Sequence, residues 1–160
     1  MENLEELKAK KLRRIHEVHK MIPERTALII SDMQISFMHP DASLAVAPAW
    51  DVVPKIKKVL DFCRDNSILV VFTEYIAQPE IPCLRVDPFG PEHLPAVPGE
   101  PAGGGRPSSN SIPGTVGPEN PDTIDELKPL PGELIIRGHT LDKFYGTPLD
   151  LALRSHDIRY

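Results

Sequence analysis

The residues best placed for chemistry are Asp32, Glu74, Arg137 and His139. Each stands at or just past the carboxyl end of an apolar run: Thr26-Ala-Leu-Ile-Ile-Ser31, Ile68-Leu-Val-Val-Phe-Thr73 and Glu133-Leu-Ile-Ile-Arg137. Open α/β sheets bind ligands just outside the carboxyl ends of their strands. Four polar groups from three strand ends therefore converge where a small-molecule site belongs. Asp32 lies one residue past the first run, and a carboxylate partly desolvated there suits a general base. The same position equally suits an Asp that hydrogen-bonds its own turn. Phosphoryl transfer would want a second acid two residues on, and that position is Gln34. Singly, Glu74, Arg137 and His139 suit a solvated edge; together they favour a site.

Nucleophiles and metal ligands are sparse. Cys63 falls on the apolar face of a helix and reads as packing. Cys83, in Ile-Pro-Cys-Leu-Arg85, has no helix N-terminus behind it to lower its pKa. A weaker reading makes Cys83 the nucleophile with Asp32 as its base. Gly103-Gly104-Gly105 precedes Arg106-Pro107 rather than a helix, so it is a linker and not a phosphate-binding loop. His39, His93, His139 and His156 show no HxH or HxxxH spacing. The sequence supports no metal site, and no cofactor is expected.

The elements that must position these residues follow from apolar periodicity. The three runs lack alternation, as strands buried on both faces of a parallel sheet do. Leu4, Leu7, Leu12, Ile15 and Val18 lie near one stripe and predict a helix over 2–20, ended by Pro23. Asp51 is a plausible N-cap, with Pro54 in the first turn of a helix closed by Asn66 and Ser67. Val52, Val53, Ile56, Val59, Leu60 and Cys63 form its expected core face. Strand, helix and strand then make a βαβ unit, right-handed by rule. A short helix is possible around Pro121–Leu127. Thr147 as N-cap and Pro148 at the first helical position begin a last helix, with Leu149, Ala152 and Leu153 buried. Ile158-Arg159-Tyr160 has the character of an approach to a fourth strand.

Composition bounds the rest. The chain has 160 residues, 41% apolar and 26% charged, with a net charge of −5. One domain is the prior at that length. The acidic balance argues against a general nucleic-acid binder. The basic cluster Lys8, Lys10, Lys11, Arg13 and Arg14 follows Glu2, Glu5 and Glu6, the order a helix dipole favours. No apolar run approaches the roughly 18 residues of a membrane span, and no secretory h-region is present. Two cysteines suggest a reducing, cytoplasmic compartment. Thirteen of the 18 prolines lie between Pro79 and Pro131, and eight of the ten glycines between Gly90 and Gly132. Such a long irregular segment within a domain is a functional lid or is disordered. Arg85, His93 and Arg106 in it could meet an acidic substrate.

Thr26-Ala-Leu-Ile-Ile-Ser-Asp-Met-Gln-Ile-Ser-Phe37 resembles the opening strand of the isochorismatase-like cysteine hydrolases, an apolar strand running into Asp-Met-Gln and then Phe. Lys143-Phe-Tyr-Gly-Thr-Pro-Leu-Asp-Leu-Ala-Leu-Arg154 resembles their Phe-x-Gly-Thr-x-Leu-x-x-x-Leu segment. The resemblance implies an α/β fold: a doubly wound parallel sheet in a three-layer α/β/α arrangement. It also implies hydrolysis of an amide or ureido C–N bond, or of an enol ether as in isochorismatase itself, with an Asp, Lys and Cys triad as the family's catalytic set. Asp32 matches the Asp. Gln34 and Phe37 fall in the same motif and join Glu74, Arg137 and His139 as expected pocket residues. The family Lys stands six residues before the Phe, which here is Gly138. Arg137 or His139 is then the candidate replacement, because Lys143 is off the motif position. The family Cys follows a fourth strand, which should begin where this chain stops.

The expected organisation is an N-terminal helical extension over 1–22 and an incomplete hydrolase domain over 23–160, with a Pro/Gly-rich loop at 78–132. Three strands are about half of what such a sheet carries, so truncation before the fourth strand is expected. The expected partner is a small-molecule substrate, with no nucleic acid, no membrane and a homo-oligomer if complete. The alternative is a catalytically inactive relative that acts as a binding or interaction module.

Overall fold

The computed structural model describes residues 3–42, 44–76 and 111–160. Helix α1 (Leu4–Val18) opens with a capping box in which Asn3 and Glu6 satisfy each other's backbone N–H groups. Its expected apolar stripe forms, but none of its residues is buried. Among the described residues, no helix is long and apolar enough to cross a membrane.

Strands β1 (Ala27–Ser31), β2 (Leu69–Tyr75) and β3 (Leu134–Gly138) build a parallel sheet in the order β1-β2-β3. Ile30 pairs in register with Phe72, and Phe72 with Ile135. Helix α2 (Ile35–Met38) is one short turn after β1, and α3 (Val53–Asp65) returns the chain to β2. Helix α4 (Leu149–Ser155) follows β3.

The sheet buries both faces, unequally. On one face Ile30, Val70 and Phe72 pack with Val53, Leu60 and Cys63 of α3 and with Ile124 and Leu127. On the other, Val71, Ile136 and Leu149 form a smaller cluster. Val52 and Val59, expected in the α3 core, are instead 41% and 48% exposed. Asp51 is not the N-cap either. A 3-10 turn over Ala47–Val52 runs directly into α3, so Val52 is already helical where a cap would be extended. Around 121–127 the chain forms only a 3-10 turn, Asp125–Leu127.

Two backbone features frame the sheet's ends. The chain leaves β1 through Asp32, whose φ of 53° lies in the left-handed region, while its N–H still donates to Thr73 O at 3.0 Å. At the opposite end, Tyr160 N donates to Arg25 O at 3.1 Å and Ala27 N donates to Tyr160 O at 3.0 Å. That alternation is the parallel pattern centred on Thr26. The expected approach to a fourth strand is therefore in place beside β1.

A polar clamp ties α3 to the entry of β3. Arg64 Nε and Nη2 donate to the two oxygens of Glu133 at 2.8 Å each, and Leu130 N donates to Glu133 Oε2 at 2.7 Å. Burial pushes the Glu133 carboxyl up, but hydrogen bonds from Arg64 and Leu130 N, with the Arg64 charge, outweigh it and hold the group below its ordinary range. A carboxyl depressed in the fold contributes stability that is complete above its unfolded pKa of about 4.3 and is lost as pH falls through the folded value. Melts between about pH 5 and pH 3 will therefore show wild type losing more stability than Glu133→Gln. Parallel losses would mean the clamp contributes nothing.

The left-handed turn yields a second expectation. Asp32→Gly and Asp32→Ala both delete the carboxylate, but only glycine is relaxed at this φ. Chemical denaturation will find the Gly variant more stable by about 1 kcal/mol. Equal stabilities would show that the turn relaxes without strain.

Candidate active site

The carboxyl ends of β1 and β2 carry a buried polar layer. Gln34 is fully buried just past β1. Its Oε1 accepts from Tyr75 N at 2.8 Å, and its Nε2 donates to Tyr75 O at 2.7 Å and to Pro121 O at 2.6 Å. The side-chain amide thus pairs with the end of β2 as a backbone would. Glu74 is 1% exposed, and its Oε1 accepts from both Thr123 N and Thr123 Oγ1 at 3.0 Å. Its Oε2 accepts from Arg137 Nε at 2.8 Å, and Arg137 Nη2 donates to Asp122 Oδ1 at 3.0 Å. Gln34 and Glu74 therefore hold the 120–124 segment over the sheet edge. Both were expected in the pocket, and both are buried with their polar atoms engaged by the fold. Phe37 is half-buried, tilted against Tyr75 with ring centroids 6.2 Å apart. The His139 ring, through Nδ1, contacts Ile76 O at 3.1 Å.

Asp32 sits on this layer with its side chain 30% exposed. Thr73 Oγ1 lies 3.2 Å from its Oδ1, and Lys143 Nζ lies 3.2 Å from its Oδ2. Lys143 is 7% exposed. Its ammonium also donates to Thr140 O at 2.9 Å and stands 5.5 Å from the centre of the Tyr75 ring. A buried ammonium needs this combination of counter-charge, carbonyl and aromatic face to offset its lost hydration.

Arg137 and His139 do not provide the cation at Asp32. Arg137 is tied to Glu74 and Asp122, and His139 to the end of β2. Lys143 reaches Asp32 because the 139–147 segment folds back over the strand end. Thr140 Oγ1 donates to Asp142 O, Phe144 N donates to Asp142 Oδ1, and Tyr145 N donates to Asp142 O. That turn returns Lys143 to the end of β3. Residue counting from Phe144 missed it, because the motif spacing describes a lysine on the strand. The available signal was a lysine directly before the Phe of the second motif, five residues past Gly138.

No competent thiol lies among the described residues. Cys63 is 6% exposed in the α3 core, and burial pushes its thiol up, opposite to what a nucleophile needs. Cys83, Arg85, His93 and Arg106 lie outside the described residues. Among the described residues, no three His, Cys, Asp or Glu are grouped to hold a metal.

Comparison with known proteins bears on this edge. The isochorismatase domain model matches residues 26–159. A cysteine hydrolase from Pseudomonas syringae pv. phaseolicola 1448A is 26% identical with a TM-score of 0.62, over 86% of this chain and 57% of that one. An N-carbamoylsarcosine amidase from Thermoplasma acidophilum is 27% identical with a TM-score of 0.59, over 84% and 63%. An isochorismatase family protein from Desulfovibrio vulgaris subsp. vulgaris str. Hildenborough is 25% identical with a TM-score of 0.63, over 84% and 63%. The chain thus spans 57% to 63% of the length of these structures. Since the domain match covers the sheet and both strand-end motifs, the chain belongs to the isochorismatase family.

Proposed function

We propose that this chain carries the Asp–Lys part of a cysteine hydrolase site that cleaves an amide or ureido C–N bond in a small molecule, with the Cys on polypeptide outside this chain. The observation that carries the reading is the Asp32–Lys143 pair, 3.2 Å apart at the carboxyl end of β1. An N-carbamoylsarcosine amidase among the similar structures is in keeping with that bond class.

In the proposed reaction, Asp32 takes the thiol proton as the sulfur attacks the carbonyl carbon. An S–C bond forms, the C–N bond breaks, and the amine leaves with the proton. Water then cleaves the thioester, returning the thiol and releasing the acid. Lys143 holds Asp32 in place through Oδ2 and supplies positive charge beside the carbonyl oxygen. When Asp32 is protonated, Thr140 O and the Tyr75 ring still hold the ammonium.

Tyr160 supports this position for the thiol. A strand continuing from it would run parallel to β1, and Asp32 lies six positions past Thr26, its pairing partner. The turn after such a strand, about 20 Å further along at ~3.3 Å per residue, comes level with the Asp32 carboxylate. A second reading, a binding module without turnover, draws on the lack of a competent thiol among the described residues.

A polypeptide in which a strand and a Cys-bearing turn follow Tyr160 will hydrolyse amide or ureido substrates, whereas the 160-residue chain will not. In the longer protein, Asp32→Asn and Lys143→Met will each lower kcat by about 10²–10⁴-fold. Turnover by the 160-residue chain alone would refute the placement of the nucleophile. A stop codon after Tyr160, with a folded and inactive chain, would favour the module.

A further inference from the structure

Gly138 ends β3 without needing a glycine's backbone freedom, because its φ is not among the positive ones. It provides space instead. A Cβ there would stand 2.9 Å from Thr147 Cγ2, a clash, and 3.5 Å from Lys143 Cδ, an ordinary contact. Thr147 is tied on its other side. Its Oγ1 donates to Lys143 O and accepts from Leu149 N at 3.2 Å, the first residue of α4. Methyl and hydroxyl share one Cβ, so they move together. A rotation that took the methyl off Gly138 would take the hydroxyl off the Lys143 carbonyl.

Resting on the Asp32–Lys143 reading, we infer that Gly138 and Thr147 are positioning residues for Lys143. The bare Cα of Gly138 seats the Thr147 methyl, and the Thr147 hydroxyl then fixes the Lys143 backbone so that its ammonium reaches Asp32. Lys143 thereby depends on the first turn of α4 as well as on the strand end. A lysine borne on the strand itself would not need this linkage.

Trace acetylation of the folded 160-residue chain with acetic anhydride, read lysine by lysine by mass spectrometry, tests the device without using turnover. Failure of the hydrolase reading therefore leaves its result standing, and its failure leaves turnover to be judged separately. Lys143 in wild type will label among the slowest lysines. Gly138→Ala will raise its labelling about fivefold or more, with Cys63 still closed to a thiol reagent. Adding Thr147→Ser, which deletes the methyl and keeps the hydroxyl, will return Lys143 to within about twofold of wild type. Thr147→Val, which keeps the shape and loses the hydroxyl, will raise labelling as Gly138→Ala does. Unchanged labelling in folded Gly138→Ala overturns the inference, as does a double variant that fails to restore protection. Should Gly138→Ala expose Cys63 and so prove unfolded, Thr147→Val decides alone, and protection equal to wild type overturns the inference.

Discussion

A lysine ammonium held 7% exposed against a carboxylate is the constraint around which the rest of this strand edge is arranged. Removing an ammonium from water costs several kcal/mol even after relaxation, and attraction to one carboxylate offsets that only with good geometry and further hydrogen bonds. Each requirement has a named source. Thr140 O and the Tyr75 ring take the remaining faces of the ammonium. Thr73 fixes the other oxygen of Asp32. The left-handed turn at Asp32 lets its N–H stay bonded to β2 while the side chain turns up to the site. Strain at that single residue is therefore the means by which a strand end presents a carboxylate.

Beneath the pair, side chains substitute for missing backbone. Gln34 offers β2 a donor and an acceptor at Tyr75, beyond the point where its pairing with β1 ends, and Glu74 receives the N–H and hydroxyl of Thr123. Both are buried and fully partnered, the condition under which buried polar groups stiffen a fold. Their effect is to carry the 120–124 segment across the sheet edge, where Tyr75 meets the Lys143 ammonium on its ring and packs against Phe37. Residues that a strand-edge argument would assign to substrate contact here set the shape of the edge itself.

The parts legible in the sequence were those governed by short-range periodicity. The three apolar runs became β1, β2 and β3 within two residues, and Asp32 lies where a strand end places it. What escaped depended on contacts remote in sequence. Val52 and Val59 share the helical spacing of Leu60, but spacing does not say how much of a helix the sheet covers. The same limit applies to α1, whose regular stripe has no buried residue. Lys143 escaped because a turn built on Asp142 changes direction in three residues, and the spacing of a strand motif contains no such turn. Thr147 sat between these cases. Its capping role was legible and its hydroxyl does accept from Leu149 N, although the last residue before the helix is Pro148.

A lysine delivered by a loop gives this edge a different mechanical character from one delivered by a strand. A strand residue inherits the rigidity of the ladder, here the β2–β3 pairing. Lys143 instead inherits the rigidity of a turn and of the start of α4, joined through Thr147. The core beneath α4 is the smaller of the two, built on Val71, Ile136 and Leu149. Elements with fewer buried contacts open at lower free energy than the main core. Whatever loosens α4 therefore acts first on the cation opposite Asp32, because the backbone that bears the carboxylate is fixed by β1 and β2 over the larger cluster. The two charges are held by different parts of the fold, and the weaker support lies on the lysine's side.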